Sequence, residues 1–115
     1  MPAVVAEVQG TLDEPPSVEV YGVFPHMHTL GRKLRVERER GGEGGARECF
    51  LDVPKWDFDG QQFYFYTTPL LVEVGDRVNL TCTYDTTTRT ATVTWGEGTD
   101  DEMCLAGFYI VKRAM

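Results

Sequence analysis

The two histidines of the chain stand one residue apart, in Pro25-His26-Met27-His28-Thr29-Leu30-Gly31. Side chains alternate along an extended segment. His26 and His28 therefore point to one face, separated by two strand rises of about 3.3 Å each. Two imidazoles so placed can turn inward onto one metal ion. Far downstream, Gly96-Glu97-Gly98-Thr99-Asp100-Asp101-Glu102-Met103-Cys104 offers a thioether at Met103 beside a run of carboxylates. Imidazole accepts either oxidation state of copper and soft sulfur selects Cu(I). The set His26, His28 and Met103 thus suits one copper ion better than zinc or magnesium. Asp100, Asp101 and Glu102 are candidate acceptors for a histidine N–H. Each piece also has a plainer reading: ordinary histidines, Met103 as core filler, and the acidic run as a solvated loop.

Other chemistries find no support. There is no G-x-S-x-G, no Cys-x-x-Cys zinc pattern, and the glycines at 41–45 do not precede a helix as a phosphate-cradling loop would. A formal net charge of −7 makes nucleic acid and anionic membrane surfaces poor partners. No run of about 18 apolar residues is present, and no basic segment followed by an apolar one opens the chain. No membrane span is therefore expected.

The elements that must position the histidines read as short strands. Ser17–Phe24 is extended and runs straight into the histidine pair. Lys33–Glu39 alternates apolar and charged residues, as a half-exposed or edge strand does. Gly41–Gly45 is a hairpin loop leading to Arg47–Leu51. Further strands are expected at Gln61–Tyr66, Leu70–Val74, Val78–Tyr84, Thr90–Trp95 and Leu105–Val111, with a turn at Gly75-Asp76 and a tight connection at Asp85–Thr90. Residues 1–16 read as a short strand and a proline-containing linker. No 3.6-residue apolar period runs through any long segment. At 115 residues and 42% hydrophobic content, the chain makes one domain, 1–115. The expected fold is all-β, an antiparallel β-sandwich of eight or nine strands, jelly-roll-like.

Cys49, Cys82 and Cys104 allow at most one bridge within the chain. Cys82 lies in an alternating strand and Cys104 follows Met103, so these two are the expected pair. Their bridge would close a loop of roughly 22 residues, worth about 3 kcal/mol in the chain-entropy model, and would anchor the segment carrying Met103. The alternative is three buried thiols in a reducing compartment.

Taken together, His26-x-His28-Thr29-Leu30-Gly31-Arg32, the Val74-Gly75-Asp76 turn, Cys82-Thr83-Tyr84 and Asp101-Glu102-Met103-Cys104 resemble the C-terminal domain of the copper type II, ascorbate-dependent monooxygenases. The order and spacing fit from about Val18 onward. The resemblance implies a jelly-roll sandwich holding one O₂-reacting copper on His26, His28 and Met103. It implies C–H hydroxylation with O₂ and an external electron donor such as ascorbate. It also implies a Cys82–Cys104 bridge with Cys49 unpaired, and such a bridge places the protein in an oxidising compartment, periplasmic or extracellular.

Departures from the family pattern bear on function. Family enzymes carry a homologous upstream domain with a second copper on three further histidines, whereas this chain has two histidines in all. Peptide-amidating members have arginine two residues before the first histidine, and Phe24 stands there. They have asparagine and tyrosine two and four residues after the methionine, where Leu105 and Gly107 stand. These changes count against a glycine-extended peptide, and against a catecholamine, as the organic substrate. The expected function is a mononuclear copper catalytic domain lacking the electron-transfer domain. The competing readings are a copper-binding or copper-carrying sandwich without turnover, and a structural sandwich with incidental histidines.

Overall fold

The computed structural model describes residues 3–113 of the chain. The expected domain limits therefore include four terminal residues that lie outside the described ones. Among the described residues, strands β1 (Ala3–Thr11), β2 (Val18–His26), β3 (Gly31–Glu39), β4 (Arg47–Val53), β5 (Tyr64–Val72), β6 (Arg77–Asp85) and β7 (Leu105–Lys112) form, with one 3₁₀ turn at Phe58–Gly60. They make a four-stranded sheet, β1-β6-β3-β4, and a three-stranded sheet, β5-β2-β7, each antiparallel throughout. The two sheets pack as a sandwich around Val20, Leu34, Val36, Phe50, Val72 and Leu80.

The strand count is lower than expected, for identifiable reasons. Gln61–Tyr66 and Leu70–Val74 do not make separate strands. Thr67, Thr68 and Pro69 continue between them, and β5 runs unbroken from Tyr64 to Val72. Thr90–Trp95 alternates as a strand should but finds no sheet edge, and leaves one isolated bridge between Trp95 and Glu102. The tight connection expected at Asp85–Thr90 accordingly opens a long loop that runs to Cys104. Alternation supplies a strand's faces, but pairing requires a neighbour with free backbone groups at the right distance. Lys33–Glu39 lies inside its sheet between β6 and β4, half-exposed rather than at an edge.

A bulge in β2 decides which side chains face the core. The register on both neighbours shifts between Val20 and Gly22. Against β7 the extra residue is on β2, and against β5 the extra residues are on β5; Val20 and Val23 both point inward, at 2% and 0% exposure. Pro25 and Met27 continue the inward series, both fully buried. Phe24 and His26 are thereby set on the outer face of the three-stranded sheet.

The end of the sandwich remote from the histidines is held by buried charge. Glu39 closes β3 and takes hydrogen bonds from the Arg77 guanidinium and the Asn79 amide of β6. Arg38, almost wholly buried, pairs with Asp76 at 3.6 Å and with Glu48 at 2.9 Å. Asp76 in turn receives the backbone N–H groups of Gly41 and Glu73, tying the glycine hairpin to the β5–β6 turn. Gly75, at φ 95°, makes that turn possible.

These contacts predict an acid-sensitive stability. The hydrogen bonds from Asn79 and Arg77 hold the Glu39 carboxyl down to about 2, from an ordinary 4.5. A lowered carboxyl stabilises the fold fully above the ordinary value, and that contribution is lost as pH falls toward the lowered one. Urea midpoints should therefore decline between about pH 4.5 and about pH 2. Glu39→Gln should be less stable at neutral pH and show a shallower decline over that window. An unchanged decline would assign the acid sensitivity to other groups.

Candidate metal centre

The opposite end of the sandwich brings the two histidines together and lays the backbone of the segment that carries Met103 beside them. His26 is the last residue of β2 and pairs across the sheet with Leu105, the first of β7. Past the strand ends His28 meets Asp101 and Glu102, the residues that precede Met103. The two imidazoles lie 5.0 Å apart between ring centroids, with planes at 78°. His28 is buried at 5% exposure, and its ring meets the Phe58 ring edge-on.

Each ring has one nitrogen committed and the other free. His28 Nδ1 lies 2.9 Å from the Asp101 carbonyl oxygen. A carbonyl only accepts, so this nitrogen carries the proton. His26 Nδ1 lies 2.6 Å from Gln61 Oε1. The orientation of the Gln61 amide follows from its other contact, since its Nε2 donates to the Phe58 carbonyl at 2.8 Å. Oε1 therefore faces His26 and accepts. Both neutral rings are thus Nδ1–H tautomers with Nε2 lone pairs uncommitted, the arrangement in which a hydrogen-bonded partner orients a metal-binding histidine.

Glu102 holds the histidine turn in place. Its carboxylate, at 8% exposure, receives the backbone N–H of His28 at 2.9 Å, of Leu30 at 2.8 Å and of its neighbour Met103 at 3.2 Å. A buried carboxylate needs such donors to offset its desolvation, and here they come from both segments of the site. Trp56 Nε1 donates to the His28 carbonyl at 3.0 Å. Gly31 lies against Met27, and a Cβ there would come within 2.8–2.9 Å of the methionine side chain.

Met103 is fixed through its backbone and its neighbours. Tyr84 donates its hydroxyl to the Met103 carbonyl at 2.6 Å. Burial, with the Glu102 charge adding to it, pushes that hydroxyl's pKa well above the ordinary tyrosine range, so it stays a donor. Cys104 is bonded to Cys82 of β6, with Cα atoms 5.9 Å apart. Cys49 is free and exposed.

The acidic run contributes otherwise than its residue types suggest. Asp101 serves His28 through its backbone carbonyl, and its carboxylate accepts from Gly98 N–H instead. Glu102 binds backbone N–H groups rather than an imidazole. The Asp100 side chain is fully exposed, within 3.9 Å of Arg89. Gln61 and Trp56 carry no sequence signal for their roles. They reach the histidines only because the 3₁₀ turn, capped by Asp57, folds back over the end of the sheet.

Two oriented imidazoles with free Nε2 atoms, and a thioether on the adjoining segment, are donor types that suit copper. Among the described residues no group of three or more His, Cys, Asp or Glu converges as a carboxylate- or thiolate-rich metal site would. None of them forms a helix long and apolar enough to cross a membrane.

A β-sandwich with this strand-end histidine pair is a recognisable class. Residues 5–112 match the family described as the copper type II ascorbate-dependent monooxygenase, C-terminal domain. The chain belongs to that family. It is 31% identical to "DBH-like monooxygenase protein 1" of Gallus gallus over 92% of its length, which is 18% of that protein. It is 32% identical to the Mus musculus protein of the same name over 82% of its length, 15% of that protein. It is 31% identical to the human "Putative DBH-like monooxygenase protein 2" over 78% of its length, 18% of that protein. The chain thus spans under a fifth of each of these relatives.

The tautomer assignment is directly testable. Long-range ¹H–¹⁵N spectra of the metal-free chain, taken where the imidazoles are neutral, should show both rings as Nδ1–H. Gln61→Leu should release His26 into tautomer exchange and leave His28 unchanged. An Nε2–H signal from either ring in the unmodified chain would refute the assignment.

Proposed function

We propose that His26, His28 and Met103 hold one copper ion and that the chain is the O₂-activating domain of a monooxygenase. The observation that carries this reading is the pair of imidazoles with Nδ1 committed and Nε2 free, in a segment that the Glu102 carboxylate clasps to the backbone of Met103. Bound copper would supply one-electron chemistry with O₂ for hydroxylating a C–H bond, with ascorbate or a similar donor as reductant. The chain's part is to orient. Gln61 and the Asp101 carbonyl keep the ring protons off Nε2, and Glu102 and Tyr84 hold the backbone of both ligand segments. The Cys82–Cys104 bridge supports an oxidising compartment, periplasmic or extracellular.

A second reading is favoured by the histidine count. Two histidines serve one site, and a second site built on three more cannot come from this chain. In that reading the sandwich binds or carries copper without turnover. An upstream homologous copper domain, as partner, would restore the two-site arrangement.

Copper stoichiometry tests the ligand set. One copper per chain is expected, lost in His26→Ala and in His28→Ala. Met103→Ile should weaken Cu(I) binding more than Cu(II) binding, because it removes only the soft ligand. Full copper retention in either histidine variant would overturn the assignment. Turnover separates the two readings. With copper and ascorbate, the chain alone should consume O₂ without a matching yield of hydroxylated product, releasing peroxide. One-to-one coupling would show that a single copper suffices.

A further inference from the structure

The two sheets are unequal, and the surplus falls at β1, an edge of the four-stranded sheet. Val4 and Val8 pair with the core residues Tyr84 and Leu80 and so turn toward the interior, yet they are 46% and 49% exposed. Phe108 and Ile110 of β7 pair with the buried Val23 and Val20, and they too are exposed, at 37% and 46%. One side of the sandwich is therefore open along β1 and β7.

Two cavities occupy that side. The larger, about 670 Å³, lies between Val4, Ala6 and Val8 of β1 and Ala91, Val93 and Trp95. Thr90–Trp95, which has a strand's alternation and no strand to pair with, is thus its outer wall. The smaller, about 300 Å³, begins at Gly10 and is lined by Val20, Val72, Phe108 and Ile110. Val8 and Gly10 are successive inward positions of β1, so the cavities follow one another along the strand. From Val4 to Gly10 the run is about 20 Å at a strand's rise. A Cβ on Gly10 would meet nothing within 4 Å, and its φ is not positive, so neither packing nor backbone keeps a side chain out of the passage. Neither histidine lines either cavity.

Charged groups are few here. Arg89 is the one cation in the lining and Glu102 the one acid, and the smaller cavity has neither. Glu102 is spent on three backbone N–H groups. Arg89 gives one N–H to the Asp100 carbonyl at 2.8 Å, while the Asp100 carboxylate stays 3.9 Å off in full solvent. The guanidinium keeps donors for an anion that reaches the larger cavity.

We propose that this open side binds a free long-chain aliphatic carboxylate, its head group on Arg89 and its tail laid along the inward face of β1 toward Gly10. The proposal asks nothing of the metal centre. A guanidinium takes a carboxylate through two parallel hydrogen bonds. The larger cavity falls within the roughly 300–1,000 Å³ of small-molecule sites, and the apolar run beyond it suits an extended chain. An ammonium head would face Arg89 and find Glu102 already satisfied. An alcohol would gain the tail contacts alone. The net charge of −7 is screened beyond about 8 Å at physiological salt, which leaves the guanidinium to decide the head group.

Titration calorimetry on the full chain, below each probe's aggregation threshold, tests head and tail separately. Dodecanoate should bind one to one and at least tenfold more tightly than dodecanol or dodecylamine, the scale of a charged hydrogen bond. Arg89→Gln should remove that advantage and leave dodecanol unchanged, which also shows the variant folded. Tetradecanoate should bind at least tenfold more tightly than octanoate, since its added methylenes are buried. Gly10→Leu should cut tetradecanoate affinity about tenfold and spare octanoate, whose tail ends before the passage. In ¹H–¹⁵N spectra the Trp95 indole signal should move with each bound carboxylate. Dodecanol or dodecylamine binding as tightly as dodecanoate, a head-group preference that survives Arg89→Gln, or a tetradecanoate affinity untouched by Gly10→Leu would overturn the proposal. So would unsaturable uptake of several equivalents, the mark of detergent-like adsorption.

Discussion

The site depends on one buried carboxylate. Glu102 sits where the β2–β3 turn meets the segment entering β7, and its two oxygens are shared between N–H groups of both. Remove it and the His28 and Leu30 amides lose their acceptor in a region closed to water, at a cost of about 1–3 kcal/mol for each orphaned donor. The same loss would free the histidine turn from the methionine segment. Other contacts build on this clasp. The Asp101 carbonyl reaches His28 because the next residue is fixed, and Tyr84 meets the Met103 carbonyl for the same reason.

The two ends of the sandwich use charge in opposite ways. At the glycine-hairpin end, carboxylates meet guanidinium groups, and the pairs fix strand ends to one another. At the histidine end, the buried carboxylate meets only neutral backbone donors. The one guanidinium held in the histidine turn, Arg32, is spent on the Thr29 and Gly31 carbonyls among the described residues, and the overall charge of −7 favours approach of a cation.

The sequence made the strands with neighbours legible and the one without a neighbour misleading. Lys33–Glu39 and Val78–Tyr84 carry alternation that the sheets use. Thr90–Trp95 carries equal alternation with nothing to pair to, and periodicity cannot reveal an absent partner. Met103 and the histidines stood out by residue type and spacing, and Cys82 with Cys104 by position. The bulge at Val20–Gly22, which sets Phe24 and His26 outward, leaves no trace in composition. Glu102 looked like one member of a solvated acidic run, and only its burial separates it from Asp100. Gln61 and Trp56 are brought to the histidines by a 3₁₀ turn whose return path is a three-dimensional fact.

The Cys82–Cys104 bridge sets how far the long loop can fray. The Glu102 carboxylate and the Tyr84 hydroxyl hold the backbone at Met103 through hydrogen bonds, which open and close. The bridge adds a tie that does not open, one residue further on, to a strand in the interior of the opposite sheet. Loosening that begins in residues 86–101 therefore stops at Cys104, and β7 keeps its place beside β2 while the loop before it moves.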